Sequence, residues 1–258
     1  MGRRRLASAA LAFLPLVVIE PNQVRVSVVI PTHNEAQSIG RVLADLPTDL
    51  VTEVLVVDSN SDDGTPEIAS KMGARILHEP RRGYGRACLT GLAGVSSPDI
   101  LVFLDGDYSD RPAELPILLA PILDGRADIT LGSRLGKQDV PGALPWHAAF
   151  GNRLAAFLIT RLYGVRITDL GPFRAGRADV LRQLALEETT YGWAVEMILK
   201  GAVQGFRIVE VPVSYYPRIG TSKISGTLKG TIGAGWFILS LIARYYFRHP
   251  KAGTPRPL

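Results

Sequence analysis

Three apolar runs in the first half of the chain stop abruptly at polar, turn-forming residues. VRVSVVIP, residues 24–31, precedes His33, Asn34 and Glu35; VTEVLVVD precedes Ser59; and DILVFLDGD ends on Asp105 and Asp107. Valine and isoleucine fill these runs without the alternation of a half-exposed strand, so each reads as a strand buried on both faces, the setting of a parallel sheet. Between the first two, NEAQSIGRVLADLP carries Ile39, Val42, Leu43 and Leu46 at helical spacing, and Pro47 closes it. Pro66 suits the first turn of the next helix. ARILHE supplies a third short strand, and ADITLGSR, residues 127–134, a further one. Strand, helix and strand in this rhythm predict an α/β fold: a mostly parallel twisted sheet with helices on both faces.

The second half is less regular. WHAAFGNRLAAFLITRLYG (146–164) and YGWAVEMILKGAVQG (191–205) read as helices, ITDLGPFRAGRADVL as a loop running into another helix, and FRIVEVPVSY (206–215) as a strand. RIGTSKISGTLKG then reads as a flexible basic loop. At 258 residues, 47% apolar and 21% charged, the chain can form one large domain with a C-terminal elaboration and is too apolar for wholesale disorder.

A single cysteine, Cys88, excludes an intrachain disulfide framework and fits a reducing compartment. His33, His78, His147 and His249 lack zinc-ligand spacing. Beyond Glu210 there is no Asp or Glu but there are seven Lys and Arg, so of the net +5 the last fifth carries +7 and the rest −2. Such a segment suits phosphate, nucleic acid or an anionic lipid surface. The apolar run mixed into it, with no helix-turn-helix or zinc-finger pattern, favours lipid over nucleic acid. TIGAGWFILSLIA, residues 231–243, falls short of the roughly 20 residues of an ordinary membrane span. With Trp236, Tyr245, Tyr246 and Phe247 among basic residues it suits a helix lying at a membrane interface, a buried helix at a dimer contact being the other reading. The start, MGRRRLASAALAFLPLVVIEPNQ, imitates a signal peptide, but Pro15 interrupts it and no small-x-small cleavage pattern follows, so it reads as a membrane-touching arm.

Polar residues gather where the apolar runs end, and in open α/β sheets ligands bind outside the carboxyl ends of the strands. A nucleotide-sized ligand is therefore expected. No GxGxxG follows the first strand and no GxxxxGK[ST] occurs; RRGYGRA (81–87) follows the third strand and lacks the third glycine, which disfavours a common dinucleotide module and a P-loop. Asp105 and Asp107 around Gly106 can hold Mg²⁺ or Mn²⁺, with diphosphate and water completing a hard oxygen shell; an exposed DG turn is the bland alternative. Asp58 is placed to accept hydrogen bonds from a base or ribose, with capping by Ser61, Asp62 or Asp63 as the competing reading of that loop. Arg81, Arg82 and Arg86 around Gly83 and Gly85 suit either phosphate oxygens or a solvated basic turn. Cys88, with no adjacent base, reads as an ordinary helix residue.

The ordered motifs VVIPTHNE, VVDSNSDDGT, RRGYGRA, LDGDYSD, LGSR, TDLGPFR and YPRIGTSKISG resemble the inverting family 2 glycosyltransferases, which have a GT-A type nucleotide-sugar-binding fold. Within them the chain looks most like the dolichol-phosphate mannose and glucose synthases, over residues 25–232. The resemblance implies that Pro31, Glu35 and Asp58 hold the base and ribose and that Asp105 and Asp107 bind metal and diphosphate. It further implies that Arg134, Asp169 and Arg174 shape the sugar and acceptor region, and that Arg218, Ser222 and Lys223 grip phosphate. Ordinary loop ion pairs are the alternative for Arg134, Asp169 and Arg174. Two positions depart from the family pattern: the second of two adjacent aspartates at the nucleotide loop is Ser59, and a glutamine that often follows the D-x-D is Ser109. Metal binding then leans more on water and diphosphate.

The reaction so implied is a metal-dependent transfer of a hexose from a UDP- or GDP-sugar to polyprenyl phosphate, whose oxygen attacks the anomeric carbon with inversion. An ionised phosphate needs no strong base; a saccharide or other hydroxyl acceptor, the alternative, does. The implied organisation is an N-terminal arm (1–23), a catalytic domain (24–230) and a basic amphipathic segment (231–258). Such an enzyme is expected in the cytoplasm, peripheral at the inner face of the membrane, with a homo-oligomer as an open possibility. A nucleotidyltransferase, a different class on a similar sheet, would want a glycine-rich start signature that is absent.

Overall fold

The structure, a computed structural model, describes residues 24–137, 146–220 and 228–248. Residues 1–23, Ser222 and Lys223 lie outside the described residues. Seven strands form one sheet: β1 (Val26–Thr32), β2 (Glu53–Asp58), β3 (Arg75–His78), β4 (Ile100–Phe103), β5 (Ile129–Lys137), β6 (Arg174–Arg177) and β7 (Ile208–Ser214). The helices are α1 (Ile39–Ala44), α2 (Thr65–Lys71), α3 (Tyr84–Gly94), α4 (Leu115–Leu123), α5 (Trp146–Tyr163), α6 (Ala178–Gln183), α7 (Trp193–Gln204) and α8 (Leu228–Arg248). The strand order is β3-β2-β1-β4-β6-β5-β7. All pairings are parallel except those of β6, which runs antiparallel to both β4 and β5.

The valine-rich runs are buried on both faces, as their composition predicts. Leu101 and Phe103 of β4 enter one core with α3, α5, α6, α7 and α8, while Ile100, Val102 and Leu104 enter the other with α1, α2 and α4. Helix α3 lies so close to β1 that a Cβ at Gly91 would collide with the Val29 side chain. Register then aligns the functional ends: Thr32 of β1 lies beside Asp58 of β2, and Val29 beside Phe103, so the residues after β4 emerge level with the end of β1.

The stretch expected to be a loop before a helix contains β6. RAGR has no β-branched residue and no apolar run; its strand state comes from the partners on either side, Phe103 opposite Arg174 and Leu131 opposite the same residue. Helix α8 begins at Leu228 and packs inward: Leu241 and Ile242 are buried, the Ile242 carbonyl accepts a 2.7 Å hydrogen bond from the Tyr163 hydroxyl, and the Tyr245 hydroxyl donates to Glu196. Among the described residues no helix is long and apolar enough to cross a membrane.

Candidate active site

The loops after β1, β2 and β4 meet at the carboxyl edge of the sheet, joined by the segment that follows β7. The first two are braced to one another. The Asn34 side chain exchanges hydrogen bonds with Asp62 (2.8 and 3.0 Å), and Asp63 accepts from the Ala36 amide and from the Thr65 amide and hydroxyl. Burial presses the Asp63 carboxyl upward, but these hydrogen bonds outweigh it and hold the group below the usual carboxylate range. Asp62 and Asp63 therefore brace the loop, while the N-cap position of α2 is Gly64, with no side-chain capping bond. Asp58 is 3% exposed and accepts from the Ser61 amide at 3.1 Å and the Ser61 hydroxyl at 2.5 Å, so part of its capacity goes to the loop. Pro31 sits beside Val57 in the last turn of the β1–β2 ladder, half-buried at the sheet edge.

The D-x-D segment is the most constrained part of the site. Tyr108 occupies the left-handed region at φ 61°, a costly conformation for an aromatic residue. Its neighbours hold it there: the Tyr108 hydroxyl donates to Asp45, and the Arg111 guanidinium is sandwiched 4.4 Å from the Tyr108 ring centroid and 3.8 Å from that of Tyr216. The turn brings Asp105 and Asp107 close enough for their charges to interact, with Arg134 and Arg218 nearby. Asp107 Oδ1 accepts from both the amide and the hydroxyl of Ser109, at 2.9 and 2.6 Å, leaving Oδ2 facing Arg218 Nη1 at 3.4 Å. Asp105 Oδ1 is buried with no hydrogen-bond partner among the described residues. Burial and the neighbouring Asp107 charge push the Asp105 carboxyl up to about 7, against the lowering pull of Tyr84, Arg134 and Arg218.

Arg134 is held by Asp169 through a bidentate pair at 2.7 and 2.8 Å, and its own amide also donates to that carboxylate. Asn152 and the Leu170 amide complete the coordination of Asp169, whose side chain has no exposure. Asp169 is thus spent on holding Arg134. Arg174, expected to shape the sugar and acceptor region, lies deep in the protein. It is fully buried behind the site, donating to the Ala194 carbonyl at 2.7 Å and to the Gly171 carbonyl, among Tyr84, Cys88 and Asp105. Its charge is felt at Tyr84, Cys88 and Asp105. Arg82 is exposed ahead of α3 and has no carboxylate partner among the described residues, whereas Arg81 is paired with Glu79 at 2.9 Å. Cys88 is a buried helix residue.

Asp110 was not singled out by its sequence. It is 1% exposed, both of its carboxylate oxygens lack hydrogen-bond partners among the described residues, and its backbone bridges to Tyr215. Burial raises its pKa well above the ordinary carboxylate value, and Asp105 adds to this while Arg134 opposes it. The signal available in the sequence was only its place three residues after Asp107 in LDGDYSD.

Among the described residues no three His, Cys, Asp or Glu side chains converge as a self-sufficient metal site. Two carboxylates with an orphaned oxygen, short of a full shell, fit a cation that also takes diphosphate oxygens and water, as Mg²⁺ and Mn²⁺ do. The sheet with its ligand edge and acidic turn defines the class: an α/β transferase fold of GT-A type. The profile of glycosyl transferase family 2 matches residues 27–188, and the chain belongs to that family. A dolichyl-phosphate hexose transferase of Haloferax volcanii is 40% identical over 205 residues, covering 77% of this chain and 86% of that one. An undecaprenyl-phosphate mannosyltransferase of Micrococcus luteus is 37% identical over 225 residues, covering 80% and 90%. Among solved structures, glucosyl-3-phosphoglycerate synthase of Mycobacterium tuberculosis, crystallised with Mn²⁺, uridine diphosphate and phosphoglyceric acid, superposes with a TM-score of 0.70 at 21% identity, covering 91% of this chain and 80% of that one.

Proposed function

We propose that this glycosyltransferase moves a hexose from a nucleotide sugar to a polyprenyl phosphate, with Asp105 and Asp107 holding Mg²⁺ or Mn²⁺. The observation that carries the reading is the meeting of two opposed groups at one opening: the D-x-D carboxylates after β4 and Arg218 from the segment after β7. Relatives named for lipid-phosphate hexose transfer support the acceptor, and the solved neighbour's Mn²⁺ and uridine diphosphate are consistent with the donor side. In this reading Pro31, Glu35 and Asp58 line the nucleotide end, Arg82, without a carboxylate partner among the described residues, takes phosphate, and Arg134, held by Asp169, serves the sugar and acceptor. Ser222 and Lys223 join Arg218 in gripping phosphate in this reading. When bound, the metal neutralises negative charge growing on the departing nucleoside diphosphate. The acceptor phosphate, already ionised, attacks without losing a proton.

The lipid acceptor also calls for a membrane surface. Phe150, Leu154 and Phe157 recur at helical spacing on α5, and Phe150 and Phe157 are 66% and 63% exposed; Trp236 and Phe247 of the neighbouring α8 are 74% and 79% exposed. Neither helix contains an acidic residue, and both carry arginines. We propose that these helices rest on an anionic leaflet at the inner face of the membrane, with residues 24–230 carrying the chemistry and 231–258 serving the contact.

A hydroxyl acceptor is the second reading, favoured by one observation: Asp110 is a buried carboxylate with both oxygens unspent beside the site. The deciding experiment offers radiolabelled UDP- and GDP-sugars with Mg²⁺ or Mn²⁺ to polyprenyl phosphate in detergent. Label in the organic phase with one donor supports the lipid-phosphate reading; nucleotide-sugar binding without lipid product moves the acceptor to a hydroxyl.

A further inference from the structure

Arg218 reaches two carboxylates at once. Its Nη2 donates to Glu35 Oε1 at 2.9 Å and its Nη1 lies 3.4 Å from Asp107 Oδ2, while its Nε is buried without a partner. The backbone fixes this placement from both sides, because the Ile219 amide donates to the Asp107 carbonyl at 3.0 Å and the Tyr216 amide to the Ser109 carbonyl at 2.9 Å. Asp107 Oδ1 already accepts two hydrogen bonds from Ser109, so Oδ2 is the oxygen through which Asp107 can hold a metal. That is the oxygen Arg218 faces.

We infer that Arg218 is an internal counter-ion that holds the cation position at Asp107 and is exchanged for the metal when the donor binds; this rests on the metal-dependent reading above. A guanidinium and a divalent cation on one carboxylate oxygen repel one another in a partly desolvated site, so both cannot stay there without an anion between them. The diphosphate that arrives with the metal supplies such an anion, and so does an acceptor phosphate. Arg218 is thereby released from Asp107 only when the cation is in place, and its charge becomes available to phosphate at that moment. The consequence is an order of events. Metal alone binds weakly against the arginine, metal with nucleotide binds well, and the acceptor-gripping group is armed last. Glu35 sets the balance, because it holds the other arm of the same guanidinium.

The test is direct Mn²⁺ binding to the full chain, read from the paramagnetic resonance of free Mn²⁺, with and without uridine or guanosine diphosphate. Thermal melts confirm folding of each variant. Arg218→Gln should tighten Mn²⁺ binding in the absence of nucleotide by about tenfold, because the competitor is gone, and should flatten the gain that nucleotide brings to the wild type. Glu35→Gln should act in the opposite direction, weakening Mn²⁺ binding without nucleotide, because Arg218 is then left to Asp107 alone. Unchanged or weaker Mn²⁺ binding in Arg218→Gln, with wild-type binding intact, overturns the exchange and leaves the metal reading standing. No Mn²⁺ binding by the wild type even with nucleotide overturns both. A general loss of structure would weaken Mn²⁺ binding in both variants, so opposite shifts cannot come from misfolding, and the flattened nucleotide gain in Arg218→Gln is the part that reports exchange.

Discussion

Arg134 and Asp169, 35 residues apart in the chain, form a bidentate ion pair at 2.7 and 2.8 Å in which the aspartate side chain is wholly excluded from solvent. Removing one partner leaves the other charge buried and alone, at a cost of about 3–5 kcal/mol. Asp169→Ala should therefore lower the melting temperature strongly and abolish transfer through misplacement of Arg134. A melt together with a transfer assay below the new midpoint separates the two effects.

The same pair predicts a pH dependence. Burial raises the Asp169 pKa, but the Arg134 charge and the hydrogen bonds from Arg134 and Leu170 outweigh it, so the folded-state value lies below the unfolded one. A depressed carboxylate pKa contributes stability that is fully present above the unfolded value of about 3.9 and is lost as pH falls through the folded value. The difference in melting temperature between wild type and Asp169→Asn should thus be constant near neutrality and shrink below about pH 4. A difference that shrinks instead between pH 6 and 8 would assign the pair's effect to another group.

Asp107→Asn keeps the Ser109 hydrogen bonds on one oxygen and removes the charge from the cation position. Transfer should fall by about a hundredfold or more, since several kcal/mol of leaving-group stabilisation depend on the metal. Unchanged metal-dependent turnover would remove Asp107 from the metal site.

Asp110→Asn distinguishes the acceptors. It removes an unspent buried carboxylate beside the site while preserving shape. Transfer to polyprenyl phosphate should survive within about tenfold, because an ionised acceptor needs no proton removed, whereas a hydroxyl acceptor should lose about 100-fold or more.

Phe150→Ser, Phe157→Ser and Trp236→Ser change residues that are largely exposed, so the fold should be unaffected. Each should lower sedimentation with anionic vesicles roughly tenfold by removing about 1.5–3 kcal/mol of apolar burial. Truncation after residue 230 is a poorer probe of the same surface, since it also removes Leu241 and Ile242 from the core.

Much of this arrangement was legible in the order of residues. A run such as ILVF declares a buried strand by its own composition, and Gly106 between Asp105 and Asp107 declares a turn, so the sheet's carboxyl edge and its acidic content followed from local pattern. The family resemblance added roles to those positions. Strand β6 and the burial of Arg174 were not legible, because RAGR contains nothing that favours a strand until β4 and β5 flank it. Asp110 was hidden for a similar reason: a carboxylate three residues beyond a turn is usually solvated, and only the packing of Tyr215 and Arg134 around it shows otherwise.

The sequence by itself determined which segments become strands, where the carboxylates leave them, and which family the chain resembles, since these depend on neighbours within a few residues. Tertiary structure alone decided which charges meet. Arg218 reaches Glu35 across 183 residues and faces Asp107 as well, and Arg134 finds Asp169. Such contacts exist only once the chain has closed its long loops around the sheet, and no local periodicity encodes the partner of a charge.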